Sequence, residues 1–243
     1  MKSTKGRMSF GRDLKETKMK STKGRMSFGR DLKKSMLIGM CGRTASGKTT
    51  GAKLIQRTLT KEGVRVGVIS MDDFYLELSE EEHQRALQNE HDFDCLEAFD
   101  LEALLDVLTS ASRGEVISFK RYDHASHKHH HLPDEMGPFD AVVFEGLYLF
   151  ADQTIADMFD FRVFMEVDAD ESLIRRLRRD IVKRRRDMDG VLRQYERYVM
   201  PAYNKLVAPS KRNAHIIIPH GAHNQEAMNL VYSFIRAELK GNV

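Results

Sequence analysis

Cysteine is almost missing from these 243 residues: Cys41 and Cys95 are the only two, with no C-x-x-C spacing. That argues against a zinc ribbon or a disulfide framework and fits a reducing compartment. Long apolar runs are missing too. None approaches the roughly 20 residues that span a bilayer, and no secretory apolar region opens the chain. A chain without a transmembrane segment, placed in the cytoplasm, is the expectation. Acidic residues are scarce in one region only. Residues 1–35 hold 12 Lys/Arg against 3 Asp/Glu, a net of +9, whereas the remainder carries 27 basic and 33 acidic groups, a net of −6. The overall charge of +3 therefore belongs to the tail, and no nucleic-acid partner is expected of the rest. The length suits one α/β domain able to bury a core without disulfides or structural metal.

The basic tail is a duplication. Residues 1–15 recur identically as residues 19–33, a period of 18. Gly6, Gly11, Gly24 and Gly29 oppose a stable helix, and low hydrophobicity with high charge predicts a disordered arm. An organelle-targeting peptide, an electrostatic tether and a solvated extension all fit its composition. It carries no catalytic chemistry, so removing residues 1–35 is expected to leave kinetic constants nearly unchanged.

From residue 36 the pattern changes to apolar runs alternating with helical periodicity. Strands are predicted at 36–41, 64–70, 140–145, 161–167 and 215–218. Helices are predicted near 49–62, 79–90, 99–111, 171–187, 189–206 and 223–240. This alternation indicates a doubly wound parallel sheet with its ligand at the carboxyl ends of the strands. A hairpin is expected around 115–121, followed by a long polar loop over 122–138.

The strongest local signal is Gly42-Arg43-Thr44-Ala45-Ser46-Gly47-Lys48-Thr49, which fits G-x-x-x-x-G-K-[ST] between a predicted strand and the helix predicted near 49–62, with Thr50 following the motif. Such a loop closes backbone N–H groups around phosphate oxygens, and the helix N-terminus adds partial positive charge. Lys48 would reach the terminal phosphates, and Thr49 would offer its hydroxyl to Mg²⁺. Glu145 ends an apolar strand and is the candidate carboxylate for the same ion. Asp72 and Asp73 follow another strand, and either one is placed to accept a proton from a substrate hydroxyl. Between Arg175 and Arg186 eight cations crowd one segment. Helical spacing puts Arg176, Arg179, Lys183 and Arg186 on roughly one face, which suits a lid over a triphosphate. The histidines at 124, 127, 129, 130 and 131 have no cysteine among them, and a native metal site there is not expected.

Nine motifs in order make the chain resemble the uridine–cytidine kinase family over essentially all of 36–240: GRTASGKTT, DDFY, FDCLEAFD, YDHASH, VVFEG, DADESLIRRLRRD, QY, PSK and HIIIPHG. The resemblance implies a P-loop kinase domain over 36–243, with a five-stranded parallel sheet, a small β-hairpin and an Arg-rich lid. It implies transfer of the γ-phosphoryl of ATP to the 5′-hydroxyl of uridine or cytidine with Mg²⁺, and homo-oligomerisation. By motif position, Asp72 resembles the base. Asp94 resembles the acceptor for ribose hydroxyls, and Tyr122 and His127 resemble the pyrimidine contacts. Arg176 and Gln194 are similar to nucleoside-side residues, and Arg179, Arg184 and Arg186 to phosphate and lid cations. The chain also departs from the pattern. Cys95-Leu96 replace His-Pro, His129 replaces an arginine, Lys183-Arg184-Arg185-Arg186 stands for Glu-Arg-Gly-Arg, and Arg43 replaces a common glycine. These changes bear on acceptor choice, rate and lid opening. A phosphoribulose- or pantothenate-type acceptor, and a catalytically degraded nucleotide-binding regulator, are the rival expectations.

Overall fold

A computed structural model describes residues 34–241. Strand β1 (Met36–Gly42) runs through a loop into α1 (Lys48–Thr60), then β2 (Val66–Ser70) and a tight helical turn at Met71–Phe74. Helices α2 (Glu80–Leu87) and α3 (Leu101–Ser112) follow. Four short strands come next: β3 (Ile117–Phe119), β4 (Tyr122–Asp123), β5 (Lys128–His129) and β6 (Asp134–Met136). The chain continues through β7 (Ala141–Glu145), α4 (Gln153–Asp157), β8 (Phe161–Glu166) and α5 (Ala169–Val182). Then α6 (Met188–Gln194), α7 (Met200–Ala202) and α8 (Ala208–Ser210) form a nearly continuous helical run, before β9 (Ile216–Pro219) and α9 (Gln225–Gly241).

All seven residues of β1 are buried, as an apolar run requires when it lies mid-sheet with helices on both faces. The sheet order is β2-β7-β1-β8-β9, every pair parallel. Alternation along β1 feeds two cores. Met36, Ile38 and Met40 pack with Ala52, Ile55 and Leu59 of α1 and with Met228, Val231 and Ile235 of α9. Leu37 and Cys41 pack on the other face with Leu104, Val107 and Leu108 of α3. Register then brings the strand ends together: Ser70 pairs with Glu145, Met40 with Glu145, and Gly42 with Met165. The site is built on that aligned edge.

Three expectations change. The hairpin expected at 115–121 is not local. Ile117–Phe119 pairs with Asp134–Met136, and Tyr122–Asp123 with Lys128–His129, so the polar loop is a nested hairpin. Strands of two or three residues are too short to show a period of two. Helix 171–187 ends instead at Val182. Continuing it would line up Arg179, Lys183 and Arg186, and the chain turns back with Arg186 N–H donating to the Asp180 carbonyl at 3.1 Å. Helix 189–206 extends to Ser210 through wide π-helical turns at Tyr195–Val199 and Tyr203–Val207. Pro201 and Pro209 follow these turns; each lacks an N–H and crowds the carbonyl four residues back, which widens the turn before it. The predicted tail over 1–35 lies outside the described residues except for Lys34 and Ser35. Ser35 belongs to the domain: it is buried, and its hydroxyl donates to the Phe139 carbonyl at 2.7 Å.

Candidate active site

The phosphate loop is held in a conformation that glycine makes possible. Gly42 has φ +147°, and a Cβ there would meet the Met165 carbonyl at 2.2 Å. Gly47 has φ +94° and caps α1, which has no side-chain cap and no acid in its first turn. The free N–H groups of that turn therefore suit an anion. The Ser46 hydroxyl is buried and has no hydrogen-bond partner among the described residues. Lys48 is buried, its Nζ donating to the carbonyls of Gly42 at 3.1 Å and Arg43 at 2.9 Å. An ammonium has three donors, so one stays available. Burial lowers the Lys48 pKa, and the Glu145 charge opposes that. This donor set fits a phosphate chain.

Beside it, Glu145 Oε1 accepts from Thr49 Oγ1 at 2.8 Å and from Ser70 Oγ at 3.2 Å. A hydroxyl and a carboxylate within contact of each other are all-oxygen ligands of the kind Mg²⁺ selects. Burial raises the Glu145 pKa, and Lys48 pulls it back. The two aspartates after β2 divide their work. Asp73 is buried, pairs with Arg121 Nη1 at 2.8 Å and accepts the Tyr122 N–H at 3.1 Å, which fastens the nested hairpin to the sheet. Asp72 opens into the cavity, with His124 Nε2 at 3.5 Å from its Oδ2.

Past Asp72 the wall turns aromatic. Tyr75 stacks on Phe99 with centroids 4.3 Å apart and tilts against Tyr122 at 5.0 Å. Phe93 stacks on His127 at 5.0 Å, nearly parallel at 13°. The Tyr122 hydroxyl lies 3.2 Å from His127 Nδ1, and Arg186 Nη2 lies 3.4 Å from Nε2. Burial, with Arg186 next, pushes the His127 pKa down to about 4, so the ring is neutral at pH 7. Asp94 accepts from the Tyr148 hydroxyl at 3.4 Å. Burial raises its carboxyl to about 6 against the pull of Arg176, with Asp92 and Asp72 adding to the rise.

The cations close the other side. Arg176 donates to Thr44 Oγ1 at 3.2 Å and to Gln194 Oε1 at 2.8 Å. Gln194 also accepts from Arg186 at 3.2 Å. Arg176, Arg179 and Arg184 surround one buried carboxylate, Asp180, at 3.5, 2.7 and 3.4 Å. Arg176 and Arg179 share α5 as predicted, Lys183 and Arg186 reach the same cavity from the turn after it, and Arg176, Arg179 and Arg184 converge on Asp180.

One cavity of about 650 Å³ is lined by Thr44, Ala45, Gly47, Lys48, Thr49, Thr50, Asp72, Asp94, Tyr122, His127, Glu145, Arg176, Arg179, Arg184, Arg186 and Gln194. Of the predicted site residues, Gly42, Ser46 and the alternative base Asp73 do not line it. Arg43, Cys95, Leu96, His129 and Arg185 do not line it, whereas Lys183 does. Arg43 instead covers the Tyr203 ring at 3.5 Å, and His129 Nε2 lies 3.2 Å from the Asp73 carbonyl. Sequence reasoning gave no site role to Ser70, Tyr75, Phe93, His124, Tyr148 and Asp180. Tyr75, Phe93, His124 and Asp180 lay inside quoted motifs; nothing local marked Ser70 or Tyr148.

The phosphoribulokinase/uridine kinase family matches the chain over residues 37–227. The mouse (Mus musculus) protein uridine-cytidine kinase-like 1 is 34% identical over 196 residues, which are 81% of this chain and 35% of the mouse protein. The chain therefore spans little more than a third of that relative. Zebrafish (Danio rerio) uridine-cytidine kinase 2-B is 35% identical over 202 residues, 81% of this chain and 77% of its own. Among solved structures, D-glycerate 3-kinase from Cryptococcus neoformans superposes with a TM-score of 0.59 at 18% identity, covering 77% of this chain and 87% of that one. At that identity the likeness is one of fold.

Proposed function

This chain belongs to the phosphoribulokinase/uridine kinase family, and we propose that it transfers the γ-phosphoryl group of ATP to the 5′-hydroxyl of uridine or cytidine. One observation carries the reading: the phosphate loop, Asp72, Asp94 and His127 share a single cavity. Asp72 acts electrostatically on Lys48 and Glu145 on one side and on Asp94 and Tyr122 on the other. Together with its place on the cavity wall, this supports a position for Asp72 where a phosphoryl donor and a hydroxyl acceptor would meet.

The roles follow from the chemistry of each group. Asp94 presents two acceptor oxygens, which suit the vicinal hydroxyls of a ribose. Neutral His127 has one N–H and one lone pair for the edge of a pyrimidine, and Phe93, Tyr75 and Tyr122 supply aromatic surface for its face. Asp72 takes the proton of the 5′-hydroxyl as its oxygen attacks phosphorus. Lys48, Arg179 and Arg184 offset the charge that develops on the transferring group. Mg²⁺, held by Thr49 and Glu145, would neutralise phosphate charge when bound. Gln194 and Arg176 brace the wall between the loop and the acceptor end.

The direct test is the product. Mass spectrometry of uridine incubated with Mg-ATP should show a nucleoside 5′-monophosphate and ADP. ATP turnover with ribulose 5-phosphate or pantothenate but no nucleoside product would overturn the reading.

A further inference from the structure

Asp72, the proposed base, is weakly held. Its neighbour Asp73 is fixed by Arg121 and by the Tyr122 N–H. Among the described residues Asp72 has no such clamp: its backbone N–H donates to Ser70 Oγ at 3.3 Å, a bond that does not hold the carboxylate. The one basic side chain among the described residues within ion-pair distance of the carboxylate is His124, with Nε2 3.5 Å from Oδ2. A base that swings costs rate, because proton transfer needs heavy atoms within hydrogen-bond reach of one another.

His124 itself is well placed. It sits in the turn between β4 and β5, where Asp123 accepts from the N–H groups of Ala125 at 3.0 Å and Ser126 at 3.2 Å and from the Ser126 hydroxyl at 2.7 Å. The turn is tied to α2 by His83 Nε2, 2.7 Å from the Ser126 carbonyl. Tyr122 meets the His124 ring edge-on at 5.5 Å. Both His124 and Asp72 are only about a third exposed, at 33% and 31% of their side chains, and both line the cavity.

We propose that His124 is a positioning residue: its imidazole donates from Nε2 to Asp72 Oδ2, fixing the carboxylate so that Oδ1 receives the acceptor proton. This rests on the nucleoside-kinase reading of the site. The step keeps its balance. The acceptor O–H gives its proton to Asp72, its oxygen bonds to phosphorus, and the oxygen of the departing diphosphate leaves with the electron pair. The surroundings favour the required form of the ring. Burial lowers the His124 pKa, Asp72 opposes, and Arg184, Arg179 and Arg186 add to the lowering from α5 and the turn after it. His127, on the same hairpin, is itself held neutral. At 3.5 Å the contact is at ion-pair distance and not yet a formed hydrogen bond; it tightens as substrate binds, as catalytic contacts often do.

The test compares His124→Phe, which keeps the ring and removes the donor, with His124→Gln, which returns an N–H near Nε2. On whichever nucleoside the unaltered chain phosphorylates, Phe should lower kcat about 10- to 100-fold with KM for ATP changed less than about twofold, and Gln should recover most of the loss. In an Asp72→Asn background, His124→Phe should cost almost nothing more, because its effect runs through Asp72. Full kcat in the Phe variant, or an undiminished penalty in the Asp72→Asn background, overturns the proposal. If no nucleoside is phosphorylated, the kinase reading fails by itself and the pairing is still read by NMR. Removing the Asp72 charge should lower the His124 imidazole pKa, since that charge favours the protonated ring. An unchanged His124 titration in Asp72→Asn overturns the pairing.

Discussion

Asp180 accepts a hydrogen bond from Arg179 Nε at 2.7 Å although its own carboxylate is fully buried. Arg176 and Arg184 approach the same group, and Arg186 donates its backbone N–H to the Asp180 carbonyl. Four cations of the cavity wall are thus organised by one residue. Burial alone would raise this carboxyl, yet the Arg179 hydrogen bond and the charges of Arg179, Arg184 and Arg176 together hold it below its ordinary range.

Asp180→Asn should therefore destabilise the fold by about 3–5 kcal/mol near pH 7, the usual cost of breaking one partner from a buried ion pair. A depressed carboxylate pKa contributes stability above its unfolded value, 3.8, and that contribution fades as pH falls through the folded value. Thermal unfolding from pH 7 to pH 3 checks this: the gap between Asp180→Asn and the unaltered chain should narrow below about pH 4. A gap independent of pH would remove the electrostatic explanation.

The Thr49–Glu145 contact at 2.8 Å predicts a magnesium phenotype. Glu145→Gln should raise the Mg²⁺ concentration for half-maximal turnover about 10- to 100-fold, while acceptor KM stays near its original value. A magnesium titration at fixed ATP measures it. An unshifted midpoint would place the ion elsewhere.

Asp94 gives the pH prediction. Its carboxyl is pushed up to about 6, so nucleoside KM should climb as pH drops from 7 to 5 while KM for ATP holds. The sign for stability is the reverse of Asp180. A raised carboxylate pKa makes the folded state bind more protons, so Asp94 costs stability above pH 6, by at most about 3 kcal/mol. Asp94→Asn should lose nucleoside binding yet melt no lower than the unaltered chain at pH 7. A lower melting temperature would show that the Tyr148 hydrogen bond to the carboxylate outweighs burial.

Phe93 lies nearly parallel to His127, and removing it should be felt by the acceptor alone. Phe93→Ala should raise nucleoside KM about tenfold, as loss of an aromatic stacking surface implies. Initial-rate kinetics in both substrates separate this from a general loss, which would appear in KM for ATP as well.

Where the sequence carries a strong periodic or spaced signal, the structure could be read in advance. The buried run of β1, the glycine loop and α1 repeat over adjacent residues, so sheet, loop and helix were visible together. Asp72 was favoured over Asp73 only on a motif; the physical reason, Arg121 clasping Asp73, depends on a contact 48 residues away. The nested hairpin hid because its strands are too short for alternation and pair across a polar turn. The lid cations were visible as a run, but their arrangement was not, because a helix face was expected where Asp180 gathers them. His124 and Tyr148 matter only through partners far along the chain, 52 and 54 residues from Asp72 and Asp94.

The most direct measurement is a coupled ADP-release assay with Mg-ATP against uridine, cytidine, thymidine, adenosine, ribulose 5-phosphate and pantothenate, run beside Asp72→Asn. Turnover on uridine or cytidine alone, lowered by about two orders of magnitude or more in Asp72→Asn while ATP still binds, is the predicted result. Silence on both pyrimidine nucleosides, or near-normal turnover in Asp72→Asn, would contradict the account.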